Sequence, residues 1–254
     1  MSTPRHAHAP PGLLKVLMEL RAVPECYIGF SSLPFARCMP RGDGHPVLVL
    51  PGFMADKAST LHLRWLVAML GYKVYDWKQG VNVGPVGHME KVIIRRIDEI
   101  TQRNGRKPTL LGWSLGGVYA RVLAHEVPDK LRSVITMGSP VRFPHRSTAD
   151  RLYQRMSGQL EHPEFLQTIA SPPAVPATAI YSRLDGIVNW QACLTDESAQ
   201  AENIRVYGSH LGLGYNPNVF FIVADRLAQP EGEWRRFSYS GAYWRTLSRK
   251  FGFA

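Results

Sequence analysis

Short runs of aliphatic side chains alternate along this chain with longer stretches in which apolar residues recur every three or four positions. The first kind of pattern predicts buried strands, the second amphipathic helices. Strands are expected at Pro46–Leu50, Tyr72–Trp77, Pro108–Gly112, Leu131–Met137, Ala177–Tyr181 and Asn203–Tyr207. Helices are expected at about Ser59 to Leu70, Met89 to Asn104, Leu115 to His125, Gln191 to Gln200 and Pro217 to Leu227. Gly71 and Gly105 stand where helix C-caps belong. Strands alternating with helices predict a mostly parallel sheet with helices on both faces.

Three segments fall outside this alternation. Residues Met1 to Gly12 read as a lead, and Leu13 to Ala22 as a short amphipathic helix with Leu13, Leu14, Leu17 and Leu20 on one face. Residues 141–173 are polar and broken by prolines, and predict a small helical cap inserted into one domain that spans 1–254. Residues 230–254 form a basic, aromatic tail.

Composition narrows the class. A 254-residue chain that is 45% hydrophobic and 20% charged can bury one large α/β core. No apolar run approaches the ~18 residues of a membrane span. The three cysteines, Cys26, Cys38 and Cys193, form no CxxC pair, which fits free thiols in a reducing, cytoplasmic setting. The net charge of +10 is spread in pairs such as Arg95-Arg96 and Arg235-Arg236, without a helix-turn-helix, finger or RRM signature, so no nucleic-acid partner is expected. Peripheral membrane contact through the basic tail is an expectation to test.

The densest chemical signal is Gly112-Trp113-Ser114-Leu115-Gly116-Gly117, a G-x-S-x-G match. An apolar strand precedes it directly and an apolar helix follows directly. A sharp strand-to-helix turn leaves no room for side chains two positions before and two after the serine, and Gly112 and Gly116 fill those places. The turn sets Ser114 at a helix N-terminus, where free N–H groups favour developing negative charge, and the Leu115 amide becomes one oxyanion donor.

These residues, with the segment Gly208-Ser-His-Leu-Gly-Leu-Gly214, resemble the α/β-hydrolase superfamily in its lipase and esterase-like branch, over roughly Pro46 to Leu227. The resemblance implies an α/β-hydrolase fold and a Ser-acid-His order of the triad. Of nine histidines, His210 is the one that lies beyond Ser114 and a late acid, after a strand. Asp185, in the Asp-Gly turn after the strand Ala177–Tyr181, matches the acid's place; Asp196 is the runner-up. The resemblance also puts a second oxyanion donor in the loop Pro51-Gly52-Phe53-Met54-Ala55, at the N–H of Phe53 or, second, of Met54. That loop departs from the HGGG run of some lipases.

The implied activity is hydrolysis of a carboxylic ester with an apolar acyl group, through an acyl-enzyme, on a small-molecule ester or a lipid. Met54 and Trp113 are the candidate pocket residues, although Trp113 could instead pack beneath the turn. Acyl transfer through the same intermediate, and a binding module on a hydrolase scaffold, are the alternatives. The chain has no H-E-x-x-H, no Cys/His zinc spacing, no P-loop and no G-x-G-x-x-G, so neither a metal nor a cofactor is expected.

Overall fold

The computed structural model describes residues 10–84, 86–142, 147–148 and 169–241. Six strands, β1 (Pro46–Leu50), β2 (Lys73–Asp76), β3 (Thr109–Trp113), β4 (Ser133–Met137), β5 (Ala177–Ser182) and β6 (Ala201–Val206), form one sheet in the order β2-β1-β3-β4-β5-β6. Every pairing is parallel. The six helices labelled here are α1 (Leu13–Leu17), α2 (Ala22–Ser32), α3 (Leu61–Met69), α4 (Val86–Asn104), α5 (Leu115–Glu126) and α6 (Pro217–Leu227).

The sheet is buried on both faces, which explains why its strands read as unbroken apolar runs and not as alternations. In β1, Val47 and Val49 pack with Leu63, Leu66 and Val67 of α3 and with Val219 and Val223 of α6. Leu48 and Leu50, on the opposite face, pack with Ile93 and Ile97 of α4 and with Val118 and Val122 of α5. The strand order reverses between β1 and β3, and the loops leaving the C-terminal ends of those two strands meet there. Crevices at such switch points are where open α/β sheets hold ligands.

Two elements differ from the sequence expectation. In place of a helix over Gln191 to Gln200 there is a short 3-10 turn, Trp190–Cys193. Asn189 caps that turn, and Asn203 then holds Thr195 through both its side-chain oxygen and nitrogen (2.9 Å each), which keeps the chain from winding on. The N-terminal helix also runs further than Leu13 to Ala22. A 3-10 turn (Met18–Arg21) joins α1 to α2, and another (Leu33–Cys38) continues it, so residues 13–38 form a helical arm. The leucines at 13, 14, 17 and 20 do share a face, but that face points outward. The arm instead turns its charged residues toward the domain.

Most of the anticipated cap, residues 143–146 and 149–168, and the tail beyond residue 241 lie outside the described residues. The described part of the tail is tied to the N-terminal end of β6. Phe237 N–H donates to Glu202 (2.8 Å), and the Arg226 guanidinium lies over the Trp234 and Phe237 rings. Among the described residues, no helix is long and apolar enough to cross a membrane.

Candidate active site

Ser114 sits between β3 and α5 with φ 54° and ψ −123°, a conformation costly for a residue bearing a side chain. Four constraints hold it. Its N–H donates to Met137 O at the end of β4 (2.8 Å), and its carbonyl accepts from Gly117 N–H (2.9 Å). A Cβ on Gly112 would collide with Gly117, and one on Gly116 would collide with the backbone of Leu50 and Pro51. The glycines therefore let β3, α5 and the β1 loop approach to backbone contact, and the serine side chain is left partly exposed at the crossing.

The loop after β1 abuts the same point, since a Cβ on Gly52 would lie 3.2 Å from the Ser114 Cβ. Met54 N–H donates to Asn82 O (2.7 Å), so that amide is already used. Phe53 follows Gly52 directly. Leu115 opens α5, where the first amides have no intrahelical acceptor. Asn82, fully buried, braces the loop: its side-chain nitrogen donates to Pro51 O (2.8 Å) and its side-chain oxygen accepts from the Tyr119 hydroxyl (2.8 Å).

Asp185 and His210 meet although they leave different strands. His210 Nδ1 and Asp185 Oδ2 are 2.6 Å apart, and both residues are buried. The other carboxylate oxygen, Oδ1, accepts N–H groups from Ile187 (2.8 Å) and Val188 (2.7 Å). This Asx turn is what the Asp-Gly-Ile-Val sequence encodes. Ser182 Oγ donates to Gly208 O (2.6 Å) and ties the two loops together. Burial opposes protonation of His210, but the charge of Asp185, its hydrogen bond and the charge of Glu19 outweigh that, and the imidazole is held above its ordinary range. Asp196, the runner-up acid, pairs with Arg142 (2.5 Å) instead.

Two contacts tie His210 to residues next to Ser114 and to its amide's acceptor. Trp113, the residue before Ser114, donates its indole N–H to the His210 carbonyl (3.2 Å). Gly138, which follows the acceptor of the Ser114 amide, has φ 56°, and a Cβ there would lie 3.1 Å from His210 Nδ1. Trp113 is buried against Gly214 and packs beneath the turn, while Met54 is half exposed beside it.

Sequence reasoning missed Glu19 and Glu25. Glu19 is buried and accepts three backbone N–H groups: Gly186 (2.7 Å), His210 (2.8 Å) and Leu211 (3.0 Å). Glu25 accepts Ser209 N–H (3.1 Å) and the Ser209 hydroxyl. Both lie on the helical arm, more than a hundred residues before the loops they hold. The one signal for them in the sequence is that they are the two acids in an otherwise apolar and basic stretch. Among the described residues, no three metal-binding side chains gather at one point.

The fold and this arrangement define the class. A sequence model of the alpha/beta hydrolase fold matches residues 87–184. Solved structures similar to this chain include Aspergillus fumigatus lipase B, at 20% identity and TM-score 0.57 over 74% of this chain and 53% of that one. They also include Paleococcus ferrophilus monoacylglycerol lipase, at 16% identity and TM-score 0.57 over 75% and 96% of the two chains. An alpha/beta superfamily hydrolase from Oenococcus oeni PSU-1 follows at 15% identity and TM-score 0.56, over 72% and 91%. The chain thus spans about half the length of the Aspergillus enzyme and nearly all of the other two. No curated protein matches by sequence. The chain is an α/β-hydrolase-fold protein.

Proposed function

We propose that this protein hydrolyses carboxylic esters with apolar acyl groups, using Ser114 as nucleophile, His210 as base and Asp185 as the acid that orients it. The observation that carries this reading is the buried Asp185–His210 contact of 2.6 Å, set beside a serine at φ 54° on a strand-to-helix turn. The lipase and esterase character of the similar structures supports the same substrate class.

In this reading Asp185 fixes His210 with its proton on Nδ1, so Nε2 serves as the base. Ser114 Oγ attacks the ester carbonyl and its proton passes to Nε2. The amides of Leu115 and Phe53 hold the resulting oxyanion. The carbon–oxygen bond to the alcohol breaks, the alcohol takes the proton from His210, and an acyl-Ser114 ester remains. Water then repeats the sequence and releases the carboxylic acid.

A fluorophosphonate probe tests the nucleophile. Labelling of the folded protein that disappears in Ser114→Ala is expected; a folded protein left unlabelled at Ser114 defeats the reading. A series of p-nitrophenyl esters of rising chain length then ranks acyl preference.

A further inference from the structure

The helical arm is amphipathic in the inverted sense. Leu13, Leu17, Leu20, Val23 and Tyr27 recur at helical spacing, and each is more than half exposed. The polar side of the same helices faces the domain. Glu19 and Glu25 are consumed by the amides of the His210 loop, Lys15 Nζ donates to Arg183 O (3.1 Å) and Arg21 donates to Leu184 O (3.1 Å). Gly29 seats the arm, since a Cβ there would collide with the Tyr215 backbone. The apolar face continues past Phe30 to Trp65 of α3, whose rings meet edge-on at 6.3 Å, and both are exposed.

A surface of this kind costs free energy in water and is characteristic of a contact site. Charge selects the occupant. The arm's two carboxylates are turned inward, its basic residue Arg37 is exposed, and the whole chain carries +10. A second copy seated on this face would oppose cation to cation with no outward carboxylate on the arm to pair with them. An anionic lipid surface would accept both the apolar stripe and the basic flank.

We propose that the arm is the membrane-docking element of this protein, laying the Leu13–Tyr27 face onto anionic lipid. The described part of the tail is fastened at the N-terminal end of β6, whereas the arm grips loops at the opposite end of the strands, beside Ser114 and His210. Docking through the arm sets the catalytic edge of the sheet against the lipid. The inference does not rest on the ester-hydrolase reading, because binding can be measured on a catalytically silent chain.

Sedimentation of the full chain and of Ser114→Ala with vesicles of phosphatidylglycerol and phosphatidylcholine provides the test. Both are expected to bind, less on pure phosphatidylcholine and less at high salt. The triple variant Leu17→Ser, Leu20→Ser, Val23→Ser should lower the partition coefficient at least ~10-fold, given what each buried aliphatic side chain contributes, with unchanged circular dichroism. Truncation after residue 241 should leave binding unchanged. Failure of the parent chain to bind, equal binding by the triple variant, or a concentration-dependent dimer that the triple variant dissolves would each overturn the proposal. Failure of fluorophosphonate labelling would leave this result untouched.

Discussion

The Glu19 carboxylate accepts the backbone N–H of His210 at 2.8 Å, and through the same oxygen it accepts Gly186 N–H, the residue after Asp185. One buried side chain from the N-terminal arm thus fixes the relative position of the base loop and the acid loop. Its charge also favours the protonated imidazole. Geometry and proton affinity of the proposed base therefore share a support that lies outside the sheet.

Glu19→Gln keeps the shape and one acceptor oxygen but removes the charge. His210 should then lose part of what holds its pKa up, so the acid limb of the kcat/KM profile should move to lower pH. Glu19→Ala should do more harm, because the buried N–H groups of Gly186 and His210 lose their acceptor at about 1–3 kcal/mol each, and the partly exposed Leu211 N–H loses its own at less. Ester turnover measured across pH separates the two effects. An unmoved acid limb in Glu19→Gln would show that Glu19 acts through shape alone.

Asp185→Asn tests the tautomer argument. The amide can still accept from Ile187 and Val188, so the fold should persist, but its NH2 would face His210 Nδ1 and favour the wrong tautomer. A fall in kcat of about 10^4-fold is expected, the size of effect that the same change has on the triad of a serine protease. Fluorophosphonate labelling should slow in parallel, while thermal stability changes little.

The glycines of the turn are not equivalent. A Cβ on Gly117 would collide with Ser139 Oγ and lie 2.7 Å from Ser139 Cβ, whereas one on Gly116 meets the backbone of Leu50 and Pro51. Gly117→Ala should cost about 1–3 kcal/mol as an overpacking change. Ser139→Gly, introduced beside it, should recover much of that loss because the obstruction is a side chain. Gly116→Ala has no such partner to trim. Denaturation midpoints of the single and double variants check both statements.

The strands, the serine turn and the Asx turn at Asp185 were legible because each is locally encoded: apolar runs for a sheet covered on both faces, glycines where β3 meets α5, an Asp-Gly pair for the turn. That Asp185 should face His210 followed from the family resemblance and not from any local pattern. What escaped was long-range. Nothing near Glu19 in the chain says that its carboxylate will satisfy amides at positions 186, 210 and 211. The leucine stripe beside it reads as a buried face by periodicity alone, since periodicity reports that a helix has two sides and not which side meets the domain. The helix expected over Gln191 to Gln200 failed for a related reason. Asn203, on the next strand, captures Thr195 and stops it.

His62 offers a readout of the fold's pH response independent of catalysis. It is buried beneath the loop that follows His210, against Gly214, stacked on Tyr215 at 3.6 Å and edge-on to Trp113 at 6.2 Å. Burial lowers its pKa to about 4. Because the folded-state pKa lies below the unfolded value of about 6.5, the unfolded chain binds the extra proton. The associated stability is complete above pH ~6.5 and is lost as pH falls toward 4. That difference corresponds to a loss of up to about 3 kcal/mol. His45, also held near 4 by burial and by Arg132, acts in the same direction and window. His62→Phe retains a ring for Tyr215 and removes the proton site. Its melting temperature should fall less steeply between pH 6.5 and 4 than that of the parent, with the remaining slope traceable to His45. Parallel curves for the two proteins would mean that His62 does not stay neutral in the folded state over this range.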